Sequence, residues 1–467
     1  MLTLADTIVA VATPPGEGGV AIVRLSGPRA LEIGQSLVHP SSRQTAWTSH
    51  YLVHGHVVDA ESGRRVDEVL ATYMAAPRTY TAEDVFEIHC HGGPMPVRAV
   101  VELALRHGAR AADRGEFTLR AFLNGRLDLS QAEAVLDVVR ARTPTALQVA
   151  VGQLAGTLTR RLYPLVDDLM GVLAYLEASI DFVEEGIPST ATEALLARLA
   201  GARDGLRDLL ATAHDGIILR EGVRAVLAGA PNVGKSSLLN RLLRVERAIV
   251  TPIAGTTRDT VEEPANIRDL PVYLVDTAGL TESDDPVERI GVQRSRAAIA
   301  AAGLLLLVAD ASRPFEPRDR EAFAAARAIA PETPAVLVLN KCDLPPRLEP
   351  SAAWPFPDLA QPSATVAVSA ATGDGLEGLE EAIAAAVLTN GSRAPDAAMV
   401  TNARHRRALE EAVEALEATI GGIEGDQALE LICSDLRAAT HALGSITGQD
   451  IGEDLLSRIF SEFCIGK

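Results

Sequence analysis

The segment Gly229-Ala-Pro-Asn232-Val233-Gly234-Lys235-Ser236 has the residue types and spacing to hold a nucleoside triphosphate. Its glycines let backbone N–H groups converge on phosphates, Lys235 carries a cation to the β and γ oxygens, and the Ser236 hydroxyl is a ligand for Mg²⁺. The segment follows the apolar run Arg224 to Ala228 and precedes a helical pattern beginning Ser237-Leu238-Leu239-Asn240. That is the strand–loop–helix context a phosphate-binding loop requires.

The base is specified further on. Asn340-Lys341-Cys342-Asp343 follows the apolar run Ala335 to Leu339, and Val368-Ser369-Ala370 ends the next run. A carboxylate at Asp343 accepts from the N1–H and the exocyclic amine of guanine together, whereas adenine presents an acceptor at the first position and no amine at the second. Each charged hydrogen bond is worth about 1.5–3 kcal/mol, so losing two excludes ATP by a few orders of magnitude and makes GTP the expected nucleotide. Gly255-Thr256-Thr257-Arg258-Asp259 has the pattern of a switch segment whose threonine closes on Mg²⁺. Asp276-Thr277-Ala278-Gly279 ends a strand with a carboxylate for the metal shell and a glycine N–H for the γ-phosphate. Position 280 is Leu280, where a Ras-like enzyme carries the glutamine that orients the attacking water. Hydrolysis therefore needs another polar group, and Glu288, within Glu282 to Arg289, is the candidate to act with Lys235.

The elements that position these residues read as follows. A chain of 467 residues has room for about three domains. With 47% hydrophobic and 22% charged residues, the composition is that of a globular protein. Four scattered cysteines (Cys90, Cys342, Cys433, Cys464) without a C-x-x-C pair argue against a disulfide framework and point to the cytoplasm. There is no long apolar span and no basic leader, so neither membrane nor secretion is expected. A net charge of −19 removes the global argument for nucleic-acid affinity, leaving DNA out and any RNA contact local or shared with a partner.

Residues 1–120 mix strand-like runs (Val20 to Leu25, Val69 to Tyr73, Val85 to His89) with Gly and Pro turns, an α+β texture. From 121 to 221 helical spacing dominates, with a capping-box pattern at Ser130-Gln131-Ala132-Glu133 and apolar residues at Leu162, Leu165, Leu169, Val172 and Leu176. Residues 222–388 alternate buried-type strands (Arg224 to Ala228, Val272 to Val275, Leu304 to Val308, Ala335 to Leu339, Thr365 to Val368) with helices, an α/β pattern. Helical spacing returns in 389–467 at Leu409, Val413, Leu416 and Ile420. The expected organisation is multidomain: an α+β N-terminal domain, then an all-α domain interrupted by a P-loop, Ras-like α/β domain. Two separate helical domains are the alternative.

Motifs along the whole chain resemble the tRNA-modification GTPases called MnmE or TrmE. They include Asp6-Thr7-Ile8-Val9-Ala10, Thr81-Ala82-Glu83-Asp84-Val85, His91-Gly92-Gly93-Pro94, Arg120-Ala121-Phe122-Leu123-Asn124, Ile253-Ala254-Gly255-Thr256-Thr257-Arg258-Asp259 and the terminal Cys464-Ile465-Gly466-Lys467. The resemblance implies a homodimer formed through the N-terminal domain, which binds a tetrahydrofolate derivative (5-formyl- or methylene-tetrahydrofolate). It implies an FAD-containing partner in a heterotetramer or larger complex, tRNA as substrate, and an aminomethyl-type (carboxymethylaminomethyl) group placed on carbon 5 of the wobble uridine. Arg24, Glu87 and Lys467 fall where the family contacts folate, and Arg126 stands where other members can carry lysine. The family also uses potassium where other GTPases use an arginine finger. Asn232 and Thr256, with the backbone carbonyls of Thr251 and Ile253, would hold K⁺, Thr257 would join Ser236 on Mg²⁺, and Glu288 would orient water.

Outside these motifs, His89-Cys90-His91 has no further ligand cluster in the sequence, so no zinc site is expected there. Gly16-Glu17-Gly18-Gly19 lacks dinucleotide-binding spacing, so flavin is expected on a partner. Cys464, three residues from Lys467, is either a reactive thiol beside the folate or a small buried apolar residue. A regulatory switch GTPase of ribosome assembly is the alternative function; Arg24, Glu87 and the C-terminal tetrapeptide have no evident use in it.

Overall fold

The computed structural model describes residues 5–42, 47–181, 189–245, 265–276, 286–348, 354–389, 398–449 and 452–467. It divides into two compact units, Met1–Leu136 with Gly444–Lys467, and Asp137–Val250 with Thr260–Leu443 among their described parts.

The first unit is built on seven strands: β1 (Ile8–Val11), β2 (Gly18–Ser26), β3 (Val38–Pro40), β4 (Leu52–Asp59), β5 (Arg64–Met74), β6 (Val85–Gly92) and β7 (Arg110–Ala111). Their order is β3-β4-β5-β6-β2-β1-β7, antiparallel except for the β1–β7 pair. The helices Ala30–Leu37 and Pro94–Arg106 bury Ala30, Ile33, Leu37, Val100, Leu103 and Ala104 with Val23, Leu25, Phe86 and Ile88 of the sheet. Gly34 is required at this contact, because a Cβ there would lie 2.4 Å from the Phe86 ring.

The helices Glu116–Leu123 and Glu453–Ser461 join the start of the helix Leu129–Arg140 in a second small core of Leu119, Leu129, Ala132, Leu136, Leu456, Phe460 and Phe463. The cap of Leu129–Arg140 lies two residues before the one expected. Asp128 Oδ1 accepts from Gln131 N (2.9 Å), and Gln131 Oε1 accepts from Asp128 N (3.0 Å). Asp128-x-x-Gln131 thus forms the reciprocal capping box, and Ser130 instead donates to Asp128 (2.7 Å).

In the second unit the sheet comprises β8 (Val223–Ala228), β9 (Ala265–Ile267), β10 (Leu270–Asp276), β11 (Leu304–Asp310), β12 (Ala335–Asn340) and β13 (Ala364–Val368). The order is β13-β12-β11-β8-β10-β9, parallel except for the edge strand β9. β11 and β12 are buried along their whole length, which explains their uninterrupted apolar runs. Strand β8 lies between β10, reached through the edge strand β9, on one side and β11 on the other. The connections diverge there, and in open α/β sheets such a switch point is where ligands bind, outside the carboxyl ends of the strands.

The helices of this unit lie on both sides of the sheet in sequence. Thr157–Asp181 packs on Ser189–Leu210, which packs on Ala403–Glu424. Leu162, Leu169, Val172, Leu176, Leu409 and Leu416 are buried, as their spacing requires. Residues preceding β8 bond to residues following β13: Gln153 Nε2 donates to Met399 O (2.6 Å), Val400 N to Thr212 Oγ1 (3.0 Å) and Thr389 N to Asp215 Oδ1 (2.9 Å).

Candidate functional site

The loop from β8 enters the helix Lys235–Val245, and two glycines set its path. A Cβ at Gly229 would lie 2.2 Å from Val308 O of β11, and one at Gly234 (φ +95°) would lie 2.2 Å from Asn340 Nδ2. Either substitution would push the loop off the sheet. Asn232 adopts φ +64°, a left-handed conformation that Asn tolerates better than most residues.

The Lys235 ammonium donates to the carbonyls of Gly229 (2.8 Å) and Ala230 (3.0 Å), which holds it over the loop. Burial lowers its pKa against the opposing pull of Asp276. Ser236 Oγ donates to Asp276 Oδ2 (2.5 Å), while Asp276 Oδ1 is buried without a hydrogen-bond partner. Such an orphan costs about 1–3 kcal/mol, and a carboxylate oxygen beside a hydroxyl is the donor set of a hard divalent cation. Ser236, Asp276 and the loop therefore fit Mg²⁺ with a phosphate chain. Val233 is buried beneath the loop, and Ser237 lies exposed in the first turn of the helix.

The ends of β12 and β13 complete the site. Asn340, at 1% exposure, donates from Nδ2 to Val233 O (2.8 Å) and accepts at Oδ1 from Ala370 N (3.0 Å). One buried amide thus ties the loop after β8 to the ends of β12 and β13. Lys341, at φ +69°, donates to Asn232 O (3.0 Å) and to Asp310 Oδ2 (2.7 Å). Ser369 Oγ donates to Asp343 Oδ1 (2.6 Å) and accepts from Thr372 N (3.1 Å), fixing the rotation of an exposed carboxylate. Asp310 is the residue that sequence reasoning missed. Burial works to raise its pKa, but the hydrogen bonds from Lys341 and Ser312 lower it overall. Its position ending β11, level with Asn340 on β12, was the available signal. Cys342 donates its backbone N–H to Val368 O (3.0 Å), and burial raises its thiol pKa.

Thr251, Ile253, Thr256, Thr257, Thr277, Ala278, Gly279 and Leu280 lie outside the described residues. Glu288 falls within the helix Pro286–Ala300 by backbone, and its side chain lies outside the described residues.

A second constellation occupies the first unit. Arg24 on β2 stands opposite Glu87 on β6, with Nε 2.7 Å from Oε1. Burial works to raise the Glu87 pKa, but the His89 hydrogen bond and the Arg24 charge hold it below the usual value. The Arg24 guanidinium lies 5.6 Å from the Tyr80 ring centroid and 5.7 Å from that of Phe117. Arg126 lies 5.0 Å from the same Tyr80 ring and donates to Tyr80 O (3.0 Å). A planar guanidinium makes this stack better than an ammonium does, which gives arginine at 126 a use of its own. Lys467 is brought in from the far end of the chain. Gly115 N donates to Cys464 O (3.3 Å), Arg114 bridges to Ile465, and a Cβ at Gly466 would lie 2.0 Å from Val11 O. Burial lowers the Lys467 pKa; the Arg24 charge acts in the same direction and Cys464 opposes it. Cys464 is exposed, which removes the reading of it as buried apolar filler. Two cations over an aromatic ring, with a carboxylate and an amine at the edge, suit a flat anionic ligand. Tyr80 and Phe117 carried no sequence signal for this role.

His89 and His91 do not converge on a metal: His89 faces Glu87 (3.3 Å), and His91 pairs with Asp67 (2.7 Å). Cys90 is buried against Ala21 O, and burial raises its pKa to about 11. No helix among the described residues is long and apolar enough to cross a membrane.

The family model described as GTP-binding protein TrmE N-terminus matches residues 7–126, and the one described as MnmE helical domain matches 129–464. A protein of Chloroflexus aurantiacus named tRNA modification GTPase MnmE is 52% identical over 464 residues, 99% of this chain and 100% of that relative. Relatives of the same name from Roseiflexus sp. and Alkaliphilus metalliredigens are 50% and 45% identical, each match covering 99% of this chain and at least 99% of the relative. A solved structure of an Aquifex aeolicus Era variant bound to GDP.AlF4- matches at 28% identity, covering 41% of this chain and 66% of that one, with a TM-score of 0.28. With full-length identity at this level and both family models matched in order, the chain belongs to the MnmE family of tRNA modification GTPases.

Proposed function

We propose that this chain hydrolyses GTP to drive tRNA modification, in which an FAD-containing partner and a tetrahydrofolate one-carbon donor add a carboxymethylaminomethyl-type group at carbon 5 of the wobble uridine. The observation that carries the nucleotide assignment is Asn340, whose buried amide ties the phosphate loop to a base-reading carboxylate held by Ser369. Lys235 releases the loop carbonyls to meet the β and γ oxygens, and its pre-paid burial strengthens that contact. Ser236 and Thr257 hold Mg²⁺, Asn232, Thr251, Ile253 and Thr256 hold K⁺, and Glu288 orients the attacking water. Bound cations neutralise charge developing on the phosphoryl oxygens. Arg24, Glu87, Arg126 and Lys467 bind the folate, with Cys464 a reactive thiol at its edge.

The domain division follows the same reading: 1–120 for folate binding and dimerisation, 222–388 as the GTPase domain, and a helical domain from 121–221 and 389–467. The end of the last segment serves the first unit, as its clustering with residues 1–136 indicates. The working assembly is a cytoplasmic homodimer joined by the FAD protein and tRNA.

Mass spectrometry of wobble nucleosides from cells lacking this protein is expected to show loss of the modified uridine, restored by the wild-type gene. Unaltered tRNA would end the enzyme reading and leave a switch. The cation assignment makes a separate expectation: turnover in K⁺ exceeds that in Na⁺ at equal ionic strength by about tenfold or more, the scale of an electrostatic transition-state contact. Equal rates would remove potassium from the site.

A further inference from the structure

At the β3 edge of the N-terminal sheet, three metal-ligating side chains converge that neither site uses. Alternation along β4 puts His54 and His56 on the same face, and Glu68 of β5 stands directly opposite His56 in the register. Their donor atoms all lie within 4.8 Å of one another, with His54 Nε2 2.7 Å from Glu68 Oε1. His56 Nδ1 is buried without a hydrogen-bond partner, a cost that a bound ion would relieve.

We propose that His54, His56 and Glu68 form a binding site for one divalent ion of the zinc class. Two imidazoles and a carboxylate suit Zn²⁺, whereas Mg²⁺ and Ca²⁺ prefer all-oxygen shells. Metal–ligand bonds of about 2.0–2.2 Å in a tetrahedron separate the donors by roughly 3.3–3.6 Å, so closure needs donor-atom shifts on the order of 1 Å. The exposed ends of His54 and Glu68 are free to make them, with 51% and 58% of each side chain accessible. The fourth position goes to water or to His39, which stands opposite His56 on β3. Binding ties β4 to β5.

The test uses the full-length protein stripped of metal by a chelator. Titration with Co²⁺ followed by visible absorption, and with Zn²⁺ against a chromophoric competitor, should show one equivalent bound with a Kd at or below about 10 µM. The tetrahedral cobalt bands should appear without a thiolate charge-transfer band. The His54→Ala/His56→Ala variant should bind at least about a hundredfold more weakly and Glu68→Gln about tenfold, with far-UV circular dichroism and GTP turnover unchanged. Equal binding by wild type and the double variant, a thiolate band, or no stoichiometric uptake would each overturn the proposal.

Discussion

Asp343→Asn is expected to lower GTP affinity by about two to four orders of magnitude and to raise affinity for xanthosine triphosphate. On the proposed reading the carboxylate accepts from two guanine donors, and each charged hydrogen bond contributes about 1.5–3 kcal/mol. An asparagine keeps one acceptor and turns the other into a donor. That clashes with the guanine amine but satisfies the carbonyl at carbon 2 of xanthine. The variant should fold normally, because Asp343 is exposed and asparagine still offers an acceptor to Ser369 Oγ. Titration with fluorescent guanine and xanthine nucleotides measures both affinities. Unchanged GTP binding would show that Asp343 does not read the base.

The second large effect concerns stability. Arg120 is 1% exposed and holds three carboxylates: Asp6 (2.5 Å), Glu116 (3.0 Å) and Glu83 (3.3 Å). Arg120→Leu leaves Glu116 buried with only Arg110 to pair it, and should cost the N-terminal unit about 3–5 kcal/mol. Urea unfolding can isolate that unit. Trp47 stacks edge-on to Phe86 at 4.8 Å within it, so a Trp354→Phe background leaves one reporter. The pH dependence has a definite sign. At Asp6 and Glu116, burial works to raise the pKa, but the bonds from Arg110 and Arg120 hold both below their ordinary values of 3.8 and 4.5. Their stabilisation is therefore fully present above about pH 5 and is lost as pH falls through the depressed values. The variant should show a shallower loss over that range. A destabilisation under about 1 kcal/mol would mean the carboxylates find water instead.

This network also explains motifs that the sequence presented without a purpose. Thr81, Glu83 and Arg120 lie in motifs that carry the family resemblance, and in the fold they are linked: Ser26 Oγ donates to Glu83 (2.7 Å) and shares a hydrogen bond with Thr81 (2.6 Å), and Glu83 pairs with Arg120 (3.3 Å). Spacing could not reveal this, because the partners lie as far as 114 residues apart.

The chain by itself determined the glycine loop after β8, the candidate base-reading tetrapeptide after β12 and most of the strands that carry long apolar runs. Each is a local matter: a glycine path, a tetrapeptide at a strand end, or a period of two or 3.6 residues. It passed over the short strands β1, β3, β7 and β9, whose two to four residues exist through pairing rather than propensity, and also the eight-residue β4, whose run is interrupted by His54, Gly55 and His56. The tertiary structure alone decided that Asn340 would bridge to Val233, that Asp310 would orient Lys341, and that the C-terminal Lys467 would reach the charge of Arg24. It also decided that His54, His56 and Glu68 would share one face. Such contacts depend on strand register and chain return, where the free energy lies in long-range burial and the local sequence is silent.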